Sequence, residues 1–275
     1  MSDGLQELQA LVNDYDSYLN RSFNDLWSKV LPDPAALDAF SVVGALLSRQ
    51  VTLSSQLARS PAAWNGHSAP LFLRAQVDLH ITVAWILCDL ADRAKKYVLH
   101  GLGEEKLLIE QYKNEITENP DTHHREQMEK MIAIKSDWVG SQRNEWMVEV
   151  NLGHWAQLNT HSMAKEADCE TLYKFAYKPF SQAAHSMWPH VSVYNSKHCK
   201  NPLHRHHLIP ELFDAPMDVD FLYRSCKYVH RTYESFVDRF GLVLDGPMPL
   251  EWWDAYFSSD VEGSDSAESN GSNEA

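Results

Sequence analysis

Apolar residues recur along this chain at steps of three and four, the spacing that gathers them on one face of an α-helix. From residue 5 to residue 30, Leu5, Leu8, Val12, Tyr15, Leu19, Phe23, Leu26 and Val30 make one such face. "LPDPAALDAF" ends that run and begins another: Asp33 has the chemistry of an N-cap, and Pro34 suits a first turn. The second helix is predicted to reach about Arg59. A loop, "SPAAWNGHSAP", follows, with Ser68 a candidate cap and Pro70 in the first turn of helix three. That helix is predicted to run to about His100 and to break at "GLG".

"EEKLLIEQYKNEITEN" reads as a charged, partly exposed helix, and Pro120 and Asp121 open the next one. Residues 151–168 are less regular. Helical spacing resumes at Cys169, is interrupted at Pro179 and fades near Val193. "YNSKHCKNPLHRHHLIPELFDAPMD" reads as a long loop bearing His and Pro. A last long helix spans about Val219 to Phe240 and ends at Gly241, a good C-cap. No strand alternation, glycine-rich phosphate loop or internal repeat is visible. The prediction is an all-α protein, a single helical bundle of about seven helices over residues 1–257. A polar, acidic tail over residues 258–275 is expected to be disordered.

Composition narrows the classes. The 44% hydrophobic and 23% charged content of the 275 residues leaves ample material for a core. Net charge is −14 with His neutral, and an acidic body argues against broad electrostatic binding of nucleic acid. The tryptophans, including Trp138, Trp146, Trp155, Trp188, Trp252 and Trp253, read as packing material, since base stacking wants a basic groove beside it. Cys88, Cys169, Cys199 and Cys226 are widely spaced, and "MSDGLQELQALVNDYD" carries no apolar leader, so a cytoplasmic protein with reduced thiols is expected.

"APLFLRAQVDLHITVAWILCDLA", residues 69–91, holds Arg74, Asp78 and His80 in an otherwise apolar helix. It is long enough to span a bilayer, but an Arg and an Asp near its centre would each cost about 2.5–3.5 kcal/mol, so no membrane is expected. Leu71, Arg74, Asp78, Ile81, Trp85 and Cys88 follow steps of 3, 4, 3, 4 and 3, which predicts a packed seam with Arg74 and Asp78 inside it. Four residues apart, the two can pair across one turn. Burying a pair rarely pays in stability alone, so either it orders a polar network or it faces a ligand cavity. His80 points about 240° round from Arg74, onto another face. In "YKFAYKPFSQAAHSMWPH", Ser181 and His185 share a helix face, with Tyr177 ahead of them across Pro179.

"LFLRAQVDLHITVAWILCDL" and "YKFAYKPFSQAAH" together resemble an uncharacterised bacterial family catalogued as domain of unknown function 5677. Its pattern is an Arg, an acid four residues on and an aliphatic run ending in Trp, then a Tyr/Ser/His segment. The resemblance covers about residues 40 to 240 and transfers to Arg74, Asp78, Trp85, Tyr177, Ser181 and His185, with Asp78 where the family pattern has the longer Glu. It implies a helical fold. The pocket expected from these residues is built on Arg74 and Asp78 and closed by Tyr177, Ser181 and His185. It would take a small polar or anionic ligand on Arg74, with His185 as acid/base, and no cofactor is implied.

Two competing chemistries stand beside it. "RSCKYVH" fits the Arg-x(4–6)-His motif of HEPN-type helical ribonucleases, whose Arg and His line a homodimer cleft. Arg224 and His230 would then be catalytic in an RNA-cleaving defence or toxin effector. Arg74–His80 and Arg93–His100 share comparable spacings, close to the number chance supplies. In "HCKNPLHRHH", His198, Cys199, His204, His206 and His207 are ligand types for zinc. Their crowding in one loop matches no recognised zinc spacing, so a polar surface loop is expected and no metal site is assigned. The third reading is a non-catalytic interaction protein in which the polar pair serves architecture only.

Overall fold

The computed structural model describes residues 2–120, 123–146 and 159–268. The segment 151–158 with Trp155, the side chain of Trp146, and Asp121 lie outside the described residues or side chains. Ten α-helical segments stand among those described: α1 (Ser2–Ser28), α2 (Leu37–Ala58), α3 (Ala69–Cys88), α4 (Leu90–Glu118) and α5 (Arg125–Trp146) come first. Then come α6 (Thr160–Glu166), α7 (170–184), α8 (Trp188–Tyr194), α9 (Asp220–Phe240) and α10 (Pro249–Glu268). The all-α class holds. The three helices beyond the seven expected are α6, α8 and α10.

Local chemistry sets several boundaries where it was expected to. Asp33 Oδ1 accepts the Ala35 N–H at 2.9 Å and caps a short 3-10 turn, Pro34–Ala36, from which α2 grows. Gly241, at φ 61°, closes α9 in the left-handed conformation. The third helix, however, ends at Cys88, twelve positions short of the predicted His100. Asp89, extended at φ −148° and ψ 85°, divides it from α4, which runs straight through Gly101 and Gly103. The break is tolerated because two arginines take up the carbonyls it frees. Arg93 Nη1 donates to Trp85 O at 2.8 Å and Arg239 Nε to Leu87 O at 2.9 Å. A glycine inside a helix costs only about 1 kcal/mol, and packing of Leu102 and Ile109 against Val139 of α5 offsets it.

The tail departs from the expected disorder, since α10 continues past Phe257 to Glu268; residues 269–275 lie outside the described residues. Its first turn is held on both sides. Glu251 reaches back to the Met248 N–H at 2.8 Å, and His230 Nδ1 accepts the Leu250 N–H at 3.3 Å. Trp252 stacks on Tyr18 and Trp253 packs edge-on against Tyr15, so the helix is nucleated on the core and propagates from there. The His- and Pro-bearing loop also departs from expectation, because it holds a small antiparallel pair, β1 (Ser196–His198) with β2 (Leu208–Pro210).

Helix α3 lies at the centre, packed by α2, α6, α7 and α9. Its buried face is Leu73, Gln76, Val77, His80, Ile81 and Val83, with Trp85, Ile86 and Leu87 at its end. The predicted seam is therefore out of phase at several positions: Leu71 and Cys88 are exposed, and Arg74 and Asp78 lie at the edge of the buried face. Pro34–Ala58 and Ala69–Cys88 are each long and apolar enough to cross a membrane, and half of the most apolar window of each is buried against the rest of the bundle. All four cysteines are free thiols.

Candidate functional site

The local backbone of α7 follows from Pro179. Proline has no N–H to give the carbonyl four residues back, and its ring collides with that carbonyl in an ordinary α-helix. The chain answers with a π-turn at Tyr173–Tyr177, closed by the Lys178 N–H on Tyr173 O, before α-geometry resumes. This wider turn carries Tyr177 against α3, and Ser181 follows one turn later. Ser181 Oγ donates to Tyr177 O at 2.8 Å, which fixes its lone pairs toward α3.

Arg74 is the hub. Its Nε–H donates to Ser181 Oγ at 2.7 Å, and its guanidinium carbon lies 3.2 Å from the centre of the Tyr177 ring. Nη1 stands 3.6 Å from Asp78 Oδ2. The Tyr177 hydroxyl donates to Thr160 Oγ1 at 3.3 Å, and the Thr160 side chain stands near enough to Asp78 to favour its charged form. Arg74, Asp78, Thr160 and Tyr177 thus close a ring, with Ser181 bracing it. Four of the five pocket residues predicted from sequence meet here. Thr160 was missed: a lone threonine at the start of a short helix carries no sequence signal.

The two charges are not equally buried. The Arg74 side chain is 16% exposed and the Asp78 side chain 47%. Both were expected in the apolar seam, but only Arg74 is enclosed, and it is enclosed by an aromatic face. Asp78 opens onto a cavity of about 1000 Å³ between α2, α3, α4, α5 and α6. Val42, Leu46, Leu79, Leu102 and Met163 supply apolar wall, and Asp78, Thr82, Tyr97 and Thr160 supply polar groups. Arg49 also lines it, as an exposed residue. Arg74, Tyr177 and Ser181 are not among the lining residues, so the carboxylate faces the cavity and the guanidinium stands behind it. Desolvation pushes the Asp78 carboxyl above the usual carboxylate range, although Arg74 and Thr160 pull the other way.

The other candidates lie elsewhere. His185 sits beyond the last turn of α7, exposed, outside the cavity lining and with no hydrogen bond to the Arg74 cluster among the described contacts. Trp85 is buried and donates its indole N–H to Glu166 at 2.8 Å, beside Arg93, so its role is to tie α3 to α6. His80 lies on another face of α3 from Arg74, as its spacing implied, and that face meets Thr232 of α9. Arg224 and His230 share α9: Arg224 is exposed and its Nε donates to Asp220 at 2.6 Å, while His230 is engaged with α10 as described. In the His-bearing loop, Cys199, His204 and His207 converge, their ligand atoms all within 4.8 Å of one another. A plain polar loop was expected there.

A family model described as "Family of unknown function (DUF5677)" matches residues 40–202, more than half of the chain. The match starts where the sequence resemblance does and stops short of residue 240, so it contains Arg74, Asp78, Tyr177, Ser181 and His185 and excludes Arg224 and His230. No curated protein and no solved structure matches the chain.

Proposed function

Since the chain belongs to this family of unknown function, we propose its role from the geometry of the cavity: it binds a small amphipathic molecule, with Asp78 as anchor. The observation that carries this reading is a half-exposed carboxylate on the wall of a roughly 1000 Å³ and largely apolar cavity. The expected ligand has an apolar body for Val42, Leu46, Leu79 and Met163. Its head group is an amine or another hydrogen-bond donor that meets Asp78 and Thr82. The preference for a donor over an anion rests on Asp78 facing the inner part of the cavity, since Arg74 is spent on Ser181, Tyr177 and Asp78 and the second arginine, Arg49, is an exposed lining residue. Arg74 positions the carboxylate and keeps it from drifting to water.

Calorimetric titration with medium-chain alkylamines and alkyl carboxylates tests this. The amines should bind saturably and the carboxylates far more weakly. Asp78→Asn should weaken amine binding by about ten- to a hundredfold, the worth of one charge-assisted hydrogen bond. Ala45→Trp, placed on the exposed side of the lining, should abolish it. Absence of saturable amine binding, or equal binding by Asp78→Asn, would overturn the reading.

A further inference from the structure

The hairpin β1–β2 ends in a cluster independent of the cavity. Its ladder pairs Ser196 with Pro210, Lys197 with Ile209 and His198 with Leu208. The next positions along are Cys199 and His207, joined by the Cys199 N–H on His207 O at 2.8 Å. Directly opposed residues of an antiparallel pair point to one side of the ladder, so this register aims a thiol and an imidazole together. Two successive turns, His204 N on Asn201 O at 2.9 Å and His207 N on His204 O at 3.1 Å, then fold the connection back over them. They deliver His204 so that its Nδ1 stands 3.6 Å from Cys199 Sγ.

We infer that Cys199, His204 and His207 bind a zinc-type divalent metal through Sγ and two ring nitrogens. The distances suit it. Bond lengths of about 2.3 Å to sulfur and about 2.1 Å to nitrogen, at a tetrahedral angle, place two shared ligand atoms about 3.6 Å apart. The Cys199–His204 pair already stands at that separation, and the remaining ligand atoms, all within 4.8 Å, close on a centre by rotation of exposed rings.

The surroundings suit a thiolate as well. The Asn201 N–H points at Cys199 Sγ at 3.5 Å, a donor that stabilises charge on sulfur. The Asn201 side chain meets the far nitrogen of His204, Nε2, at 3.3 Å, while its Oδ1 accepts the Leu203 N–H. When a metal takes Nδ1, the ring proton sits on Nε2 and is given to solvent, while Asn201 Oδ1 keeps the Leu203 N–H and holds the turn that carries His204. The thiol proton is released to solvent as the metal binds. Soft sulfur with two imidazoles selects zinc-type ions over magnesium or calcium. Three protein ligands leave one coordination place to water, and the metal locks the mouth of the hairpin.

Titration of the full chain with cobalt(II) reads the site through its sulfur-to-metal charge-transfer band and visible tetrahedral bands. One equivalent should bind and zinc should displace it. Cys199→Ser should remove the charge-transfer band, His204→Ala and His207→Ala should each abolish tight binding, and Cys88→Ser should change nothing. The hairpin is exposed, so thermal unfolding of the metal-free variants should match that of the parent. A chain that binds no cobalt, or one whose binding survives loss of all three side chains, would refute the site.

Discussion

His80 shows how a titratable residue in an apolar helix is used without any ionic chemistry. Thr232 Oγ1 donates to Tyr228 O at 2.7 Å, so its lone pairs accept from Gln50 Nε2 and from His80 Nδ1, both at 3.2 Å. That makes His80 the Nδ1–H tautomer and leaves Nε2 bare toward Cys169 Sγ at 3.7 Å. Burial, with Arg231 adding to it, pushes the His80 pKa down to about 4, and burial pushes the Cys169 thiol up to about 11. Both are neutral at pH 7, and the Cys169 thiol also donates to Ala167 O at 3.3 Å, so the pair is a neutral contact and no thiolate–imidazolium nucleophile. The folded pKa lies below the ordinary 6.5, so the contribution is complete above pH 6.5 and is lost as pH falls toward 4. Denaturant unfolding across that window should lose up to about 3 kcal/mol. His80→Asn, which keeps a donor for Thr232, should flatten the dependence; an equally steep one would show that another group carries it. Gln76 is the opposite case. Its side chain is fully buried and neither Oε1 nor Nε2 has a partner among the described residues, so Gln76→Met should stabilise the fold by about 1 kcal/mol. Loss of stability in the same denaturant assay would mean that an ordered water satisfies it.

At the scale of elements, what could be read from sequence depended on how far away the deciding group lay. Asp33 and Gly241 act on their own turns, and both boundaries were legible. The division at Asp89 was not, because one of the arginines that stabilise it, Arg239, reaches Leu87 O from 152 residues further along the chain. The phase of α3 was misjudged for a related reason. Residues 69–88 are apolar almost all round, so periodicity alone leaves the buried face free to rotate, and only contact with α9 and α2 selects Leu73, Val77 and His80. Arg74, Asp78, Tyr177 and Ser181 were legible as a set through i,i+4 spacing and the family resemblance. The convergence at Cys199, His204 and His207 was hidden because it depends on the β1–β2 register. The α4–α5 pair carries a further expectation. It holds its own small cluster, Leu102, Ile109 and Val139, apart from the main core. Amides of α5 should therefore exchange with deuterium well before those of α3 and α9, and equal protection would contradict a separable arm.

For the whole molecule, the cavity lies where those two apolar clusters meet. Leu46 and Met163 belong to the main core and Leu102 to the α4–α5 cluster, while Val98 touches both. A ligand seated there bridges the arm to the bundle, and the net charge of −14 favours approach of a cationic one. The proposed site stands on Asp78 as a half-exposed carboxylate, partly desolvated by the wall around it, that faces this space. Its pKa, followed by carboxyl carbon NMR with and without a saturating medium-chain alkylamine, measures that directly. A value above the usual carboxylate range in the free protein, falling when the amine binds, is the predicted result. An ordinary or lowered value that does not respond to the amine would contradict it.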